Sequence, residues 1–132
     1  MDCIFCKIVA KEIPNYTVYE DDTVLAFLDI FPHAVGHTVV IPKIHVSTLP
    51  ELAEDQFGPL LVAVKKVQEK LSDKLNPEGF TVGWNHGEAG GQAVPHLHIH
   101  VLPRWNNDKG GSMHSINKKL DNPDVKAVFA KL

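Results

Sequence analysis

The sequence predicts an α+β domain in which an antiparallel sheet of about five strands packs on one long helix. Short β-prone segments occur in pairs, one amphipathic segment is long enough for a helix, and strands and helices do not alternate as they do in parallel sheets. The 132 residues suit one domain, since roughly 100–200 residues is the usual size. We expect one unit over residues 1–132, with a core over about residues 2–104 and a tail over residues 105–132.

Three strands are predicted in the first third of the chain. Residues 16–20 and 24–29 are β-prone runs joined by Asp21 and Asp22, a pattern typical of a hairpin. Residues 37–42 form the third strand, which ends at a proline. The hydrophobic pattern then changes its period, which indicates that a helix follows.

One long helix and two further strands are predicted next. Apolar residues recur three and four positions apart, as on one helix face: Phe57, Leu60, Leu61, Val64, Val67, Leu71 and Leu75. Asp55 is the expected N-cap, and Asn76 and Pro77 end the helix, with Gly79 following. Residues 79–85 and 95–102 read as strands on either side of a glycine-rich loop, and a last helix is expected over about residues 122–131.

Composition and charge exclude several classes of function. Lys plus Arg number 13 and Asp plus Glu number 16, a net charge of −3, so the chain lacks the basic surface of a duplex nucleic-acid binder. The apolar runs are far shorter than the roughly 20 residues of a membrane helix. The first residues also lack the pattern of a secretory signal. We therefore expect a soluble, cytoplasmic protein with no nucleic-acid or membrane partner.

Three histidines give the strongest chemical signal. His96, His98 and His100 alternate with the apolar Leu97 and Ile99. Because side chains of a strand alternate between its faces, all three imidazoles are expected on one face. This spacing also suits a histidine-rich solvent face or a three-histidine metal site, and the spacing alone leaves these alternatives open.

The loop before the histidine row suggests a phosphate ligand. Gly87, Gly90 and Gly91 offer backbone amides without side-chain hindrance, which can form an anion-binding concavity beside the imidazoles. A neutral imidazole can attack phosphorus, and a neighbouring imidazolium can donate a hydrogen bond to a phosphoryl oxygen. The two features together favour nucleophilic chemistry at a phosphate.

The segment from Gly90 to Leu102, with its His-x-His-x-His pattern, resembles the signature of the histidine triad family. Residues 4–8, 12–14, 27–30 and 36–43 match further family motifs in order, so the resemblance covers roughly residues 2–104. The most similar branch is that of the purine nucleoside phosphoramidases. The resemblance implies a nucleotide-binding hydrolase that cleaves nucleoside monophosphate-amine bonds through a nucleotidyl-histidine, and a homodimer with a continuous sheet. A dinucleoside polyphosphate hydrolase and a non-catalytic nucleotide-binding protein are the alternatives.

The resemblance assigns roles by position. His98 matches the nucleophile, His100 the residue that contacts the phosphate oxygens, and His37 a histidine that orients the site. The residues implied to bind a purine nucleotide, besides His98 and His100, are Ile8, Phe27, Asp29, Ile30, Asn85, Gly91, Gln92 and Ala93. Asp29 is expected to accept both ribose hydroxyls, and the three apolar residues to line the base. Ala93 stands where the branch often has a serine, so a hydroxyl donor to the leaving group is lost.

Two cysteines predict a structural zinc site. Cys3 and Cys6 have the two-residue spacing of half such a site. Relatives with this pair resemble zinc proteins, and position nominates His45 and His96 as the other ligands. Two thiolates and two imidazoles would fill a tetrahedron and leave no position for water, so the zinc would not act as a Lewis acid. A reduced pair without metal is the alternative.

Overall fold

A five-stranded antiparallel sheet forms the centre of the computed structural model, which describes residues 2–132. Its strands are Thr17–Glu20 (β1), Val24–Leu28 (β2), Thr38–Pro42 (β3), Gly79–Gly83 (β4) and Ile99–Arg104 (β5). Their order across the sheet is β1-β2-β3-β5-β4. The predicted fold class is therefore confirmed, and β5 is an inner strand with neighbours on both sides.

The long helix is present, with a different start from the one predicted. It spans Phe57–Leu75 (α2) and follows a 3₁₀ turn, Glu54–Gln56, so that Gln56 is its N-cap. The prediction that Asp55 caps the helix is wrong, because this residue lies inside the preceding turn. The end is as predicted: Asn76 adopts a left-handed conformation, with φ of 52°, and its N–H bonds to the carbonyl of Ser72.

Two apolar clusters cover opposite faces of the sheet. On one face α2 packs over side chains that include Ile99 and Val101 of β5. On the other face Ile8 of a short helix, Ile4–Val9 (α1), packs over Phe27 and Val39. Because β5 alternates, its His100 projects on the α1 face while its apolar neighbours enter the α2 core.

Several boundaries differ from the sequence-based expectation. The segment predicted as a strand over 95–102 pairs with β3 only from Ile99 onward, since the N–H of Leu97 bonds instead to the carbonyl of Val46. Strand β4 ends at Gly83 rather than residue 85. The last helix is Val125–Phe129 (α3), shorter than 122–131, and begins after the N-cap Asp124.

Helix α1 was not expected from the sequence. Its six residues are too few for a hydrophobic period, and its N-cap is the thiol of Cys3, which accepts the N–H of Cys6 at 3.4 Å. Among the helices within residues 2–132, none combines the length and the apolar character that a membrane crossing requires.

Candidate active site and metal centre

The predicted histidine row lies on the sheet face that α1 covers. The ring centroids of His98 and His100 are 4.9 Å apart. The ring of Phe5 of α1 is nearly perpendicular to the rings of His96 and His98, at centroid distances of 5.9 and 5.1 Å. His98 is buried and His100 partly buried. The row is therefore a packed site rather than a solvent-facing array, which removes the histidine-rich solvent face as a reading.

A backbone carbonyl fixes the orientation of His98. Its Nδ1 lies 2.7 Å from the carbonyl oxygen of His96, and a carbonyl can only accept. Nδ1 therefore carries the proton, and Nε2 of the neutral ring has a free lone pair. That lone pair is what a nucleophilic imidazole requires.

A chain of hydrogen bonds fixes the protons of the other two rings. The backbone N–H of His33 donates to Nδ1 of His37 at 3.1 Å, so the proton of a neutral His37 is on Nε2. This Nε2–H donates to Nδ1 of His100 at 2.9 Å. The proton of His100 is then on its own Nε2, where it can be donated to a phosphoryl oxygen.

Burial keeps the rings of His37 and His100 neutral. It is the main reason that the pKa of His100 falls to about 4, with His98 and His37 adding to the effect. Burial also lowers the pKa of His37, against the opposing charge of Asp29. At neutral pH, His37 and His100 therefore serve as dipolar hydrogen-bond donors and acceptors rather than as cations.

Asp29 lies at the edge of the same group. One carboxylate oxygen accepts the N–H of Phe31 at 2.8 Å, and the other is 3.7 Å from Nε2 of His37. The ligand atoms of Asp29, His37 and His100 lie within 4.8 Å of one another, a spacing that would suit a metal. The hydrogen bond from the backbone N–H of His33 disfavours metal binding here. It places the His37 proton on Nε2, the nitrogen that would have to bind the ion.

The three apolar residues that are expected to line the purine base differ in their burial. Ile8 of α1 and Phe27 of β2 are buried in the same cluster, between α1 and the sheet. Ile30 is 69% exposed on the connection that follows β2. Ile30 therefore does not belong to the buried cluster that holds Ile8 and Phe27.

The glycine-rich loop does not form the predicted anion-binding concavity. The N–H of Gly87 bonds to Oε1 of Gln92, that of Gly90 to the carbonyl of Gly87, and that of Gly91 to the carbonyl of Glu88. These three glycine amides are thus used within the loop. The other end of the Gln92 amide donates to the carbonyls of Ser47 and Val94, at 2.8 and 3.0 Å, so this side chain ties the loop to the domain.

Asn85 and Ala93 stand at the two ends of this loop. Gly91 has a φ of 90°, which favours glycine, and a Cβ there would be in van der Waals contact with the Asn85 side chain, 3.7 Å from its Cγ. Ala93 is exposed. With the amides of Gly87, Gly90 and Gly91 occupied, the Asn85 side chain and the Nε2–H of His100 are donors that a phosphate could use.

The four predicted metal ligands meet at one point. The ligand atoms of Cys3, Cys6, His45 and His96 lie within 4.8 Å of one another. Sγ of Cys3 is 3.5 Å from Nδ1 of His96, and Sγ of Cys6 is 3.3 and 3.6 Å from Nδ1 of His45 and of His96. Zinc bonds of about 2.3 Å to sulfur and 2.05 Å to nitrogen give a tetrahedral edge of about 3.6 Å between them. The four donors therefore fit a tetrahedral metal ion. His96 belongs to this cluster, whereas His98 and His100 do not.

The surroundings of the cluster favour metal binding further. Nε2 of His96 lies 2.9 Å from the carbonyl oxygen of Pro42, so this nitrogen carries the proton and Nδ1 is free as a ligand. Burial and the neighbouring Cys3 thiol raise the pKa of Cys6. A bound metal cation would counteract this rise in pKa, because a coordinated thiol is deprotonated.

Sequence reasoning missed two contributors to the site. Phe5 contacts both a metal ligand and His98, but it looked like an ordinary residue of a matched motif. The amide of His33 orients His37, while its side chain is exposed, as are those of His86 and His114. A main-chain donor leaves no mark in the sequence pattern.

Comparison with known proteins agrees with this architecture. Residues 10–107 match the HIT domain family. Adenosine 5'-monophosphoramidase hnt1 of Schizosaccharomyces pombe is 37% identical over 128 residues, covering 97% of this chain and 93% of that protein. The crystal structure of a HIT family member from Bacillus subtilis has a TM-score of 0.86 at 37% identity and covers 99% of this chain and 94% of that one. A zinc-bound histidine triad family protein from Mycobacterium smegmatis has a TM-score of 0.79 at 34% identity, over 92% and 85% of the chains. The chain belongs to the HIT domain family, the histidine triad proteins that its sequence resembles.

Proposed function

We propose that the protein is a hydrolase that cleaves the bond between a purine nucleoside monophosphate and an amine. The observation that carries this proposal is the orientation of His98, whose Nδ1 is held by the His96 carbonyl at 2.7 Å. A buried imidazole with its Nε2 lone pair free is suited to covalent catalysis at phosphorus. A relative named adenosine 5'-monophosphoramidase supports the same reaction class.

The proposed reaction has two displacements. Nε2 of His98 attacks the α-phosphorus, an N–P bond forms, and the bond from phosphorus to the amine breaks. The departing amine takes a proton from solvent, because Ala93 has no hydroxyl to offer. Water then attacks phosphorus, the bond to His98 breaks, and the nucleoside monophosphate leaves while a proton returns to solvent. His100, through its Nε2–H, is placed to stabilise the negative charge on the phosphoryl oxygens in both steps.

The nucleoside would lie between α1 and the connection after β2. In this proposal Asp29 accepts the two ribose hydroxyls, since one carboxylate offers two acceptor oxygens. Ile8, Phe27 and Ile30 supply apolar surface for a purine. The Asp29 carboxylate lies 3.7 Å from Nε2 of His37, which supports its proposed position beside the histidines.

A variant at position 98 tests the mechanism. His98→Ala should lose turnover of adenosine 5'-phosphoramidate and keep AMP binding, because the ring acts on phosphorus and the nucleoside is held elsewhere. Intact-protein mass spectrometry of the wild type during turnover should detect an adenylylated chain, and the variant should not form it. His114→Ala, which removes an exposed histidine, is the matched control. Near-normal turnover by His98→Ala would refute the mechanism.

A substrate panel separates the alternatives. Faster hydrolysis of diadenosine polyphosphates than of the phosphoramidate would favour a dinucleoside polyphosphate hydrolase. Binding of AMP without turnover of either substrate would favour a nucleotide-binding protein without catalysis.

Zinc is the proposed occupant of the Cys3, Cys6, His45 and His96 cluster, with a structural role. The Cys₂His₂ set supports this, because four protein ligands complete a tetrahedron. When bound, zinc would fix α1 to the segment that enters β5. Ligation requires reduced thiols, which the cytoplasm maintains, and this supports the proposed location there.

A homodimer is the proposed assembly. Strand β4 is at the edge of the sheet, where its outer backbone groups can pair with another strand. Beside it, Leu61 of α2 is 60% exposed and borders a groove that also includes Phe80. A two-fold partner would cover this apolar surface and extend the sheet through β4.

A further inference from the structure

One aromatic ring links the cysteine–histidine cluster to the proposed nucleophile. Phe5 lies between Cys3 and Cys6 in the chain, and both thiols belong to the cluster. Its ring centroid is 5.1 Å from that of His98, with the two ring planes at 82°. The same ring is 5.9 Å from that of His96, the cluster member that precedes the nucleophile. A displacement of the two cysteines would therefore move a ring that packs on His98.

We propose that Phe5 is a positioning residue: its ring, held in place by the metal-loaded cluster, keeps the imidazole of His98 in the orientation that nucleophilic attack requires. The inference rests on the proposed role of His98 as the nucleophile. It gives the metal cluster a part in catalysis that acts through packing, since four protein ligands leave no coordination position for a substrate.

Packing protects the hydrogen bond that sets the tautomer of His98. The χ2 torsion of a histidine has broad minima, so one hydrogen bond is a weak restraint on rotation of the ring. A half-turn would exchange Nδ1 with Cδ2 and Nε2 with Cε1, and would break the bond of 2.7 Å to the His96 carbonyl. The rings of Phe5 and His100, with centroids 5.1 and 4.9 Å away, restrict this rotation.

The first turn of α1 depends on the cluster for its position. The helix has six residues, far fewer than the roughly 12–15 that an isolated helix needs. Its second half is anchored by Ile8, which is buried in the apolar cluster on the sheet. Its beginning is held through Cys3 and Cys6, whose thiols make weak contacts of 3.3 to 3.6 Å with the two histidines. Metal coordination replaces these contacts with bonds and so fixes the turn that carries Phe5.

The other connection from the cluster to the nucleophile is secured by the protein itself. His96 is a ligand whose carbonyl also orients the nucleophile, but its Nε2 donates to the Pro42 carbonyl at 2.9 Å. The next backbone N–H, that of Leu97, donates to the carbonyl of Val46 at 2.7 Å. These bonds keep the carbonyl of His96 in place without the metal. Loss of the metal therefore reaches the nucleophile through α1 and Phe5.

Nitrogen NMR of histidine-labelled protein tests the proposal without a substrate. At alkaline pH, where imidazoles are neutral, the two-bond proton–nitrogen pattern shows which nitrogen carries the proton, and His98→Gln assigns the signal. The zinc-loaded wild type should show His98 as the Nδ1–H tautomer alone. Phe5→Ala with zinc still bound should show a mixture of tautomers, as should the wild type after chelation of zinc.

Two variants serve as controls in these spectra. Phe5→Leu restores most of the apolar volume and should recover most of the Nδ1–H signal. Phe129→Ala removes a phenylalanine of α3 that is 76% exposed and should leave the spectrum as in the wild type. Zinc content is measured for each variant, so that loss of the metal is not mistaken for loss of the ring. A pure Nδ1–H tautomer in zinc-loaded Phe5→Ala would overturn the proposal.

A kinetic cycle tests whether the metal acts through Phe5. The kcat for adenosine 5'-phosphoramidate is measured with and without zinc in the wild type and in Phe5→Ala, at a temperature where circular dichroism shows all four forms folded. Removal of zinc and removal of the ring should each lower kcat by about tenfold, since misplacement of a reacting group is costly. Both changes together should lower it little further, because they act on one contact. A combined loss of about a hundredfold, as for independent effects, would overturn the route through Phe5.

The two readouts separate this inference from the proposed function. A wild type that hydrolyses no phosphoramidate, but whose His98 signal responds to zinc and to Phe5→Ala, would refute the reaction and leave the positioning by Phe5 supported. Hydrolysis with a His98 signal that responds to neither change would overturn this inference alone.

Discussion

Acid should destabilise the folded protein through His100 in a pH range that its environment sets. Burial is the main cause that lowers its pKa to about 4, whereas an imidazole in an unfolded chain titrates near about 6.5. Between these values the unfolded chain binds a proton at this position and the folded protein does not. The free energy of unfolding therefore decreases as the pH falls from about 6.5 to about 4. This group has no effect above that range, and below it the loss is complete.

The size of the effect follows from the two pKa values. The interval from about 6.5 to about 4 corresponds to about 3 kcal/mol at 1.36 kcal/mol for each tenfold change in proton affinity. At pH 4 the folded His100 is about half protonated, so nearly all of this amount is already lost. For a domain stable by about 5–15 kcal/mol, such a loss is large enough to measure by urea unfolding.

His100→Asn isolates this contribution. An asparagine oxygen can still accept the Nε2–H of His37, and the side chain does not titrate. Unfolding free energies of both proteins at pH 7.5 and pH 4 give two differences. We expect the wild type to lose about 3 kcal/mol more than the variant. Acid-sensitive groups that both proteins share, the metal ligands among them, cancel in this comparison. His86→Asn, at an exposed position, should lose as much as the wild type. Equal losses in the wild type and His100→Asn would refute the reasoning.

Three further outcomes are expected. Removal of zinc by a chelator should lower Tm by about 10 °C, as loss of a ligand worth about 3 kcal/mol would; Cys3→Ser combined with Cys6→Ser should abolish both the metal content and the chelator effect, and full metal content in that variant would contradict the site. AMP should bind more tightly than 2′-dAMP by ~1–3 kcal/mol in calorimetric titrations, because a partly unpaired carboxylate is costly; Asp29→Ala should remove the difference, and equal affinities in the wild type would contradict the ribose assignment. Light scattering should give a dimer mass for the wild type and a monomer mass for Leu61→Glu. Lys66→Glu, a control at an exposed position of α2, should remain a dimer. A monomeric wild type would contradict the proposed assembly.

Residue spacing predicted the elements whose side-chain direction follows from a regular period. The alternation around His98 and His100 predicted one face because successive side chains of an extended segment point in opposite directions, although the paired strand begins only at Ile99. The three-and-four spacing of α2 identified its buried side, although Leu61, counted in that stripe, is 60% exposed. The ends were less certain, since Asp55 lies within a 3₁₀ turn that has no strong sequence signal.

Contacts that depend on tertiary placement could not be obtained in this way. The bond between His37 and His100 joins residues 63 positions apart. The loop glycines looked like anion donors because their amides are unhindered, but Gln92 and the loop carbonyls use those amides first. The tail contains no recognisable motif, and its attachment to the sheet depends on the pairing of Arg104 with Asp108.

The hydrogen bond from the backbone N–H of His33 has a consequence for tolerance to substitution. Every residue except proline carries this N–H, so many side chains at position 33 can support the same protonation pattern in His37 and His100. Proline there would remove the donor and leave the His37 proton free to move to Nδ1. The loop could thus change its surface chemistry freely while the direction of proton donation in the site stays the same.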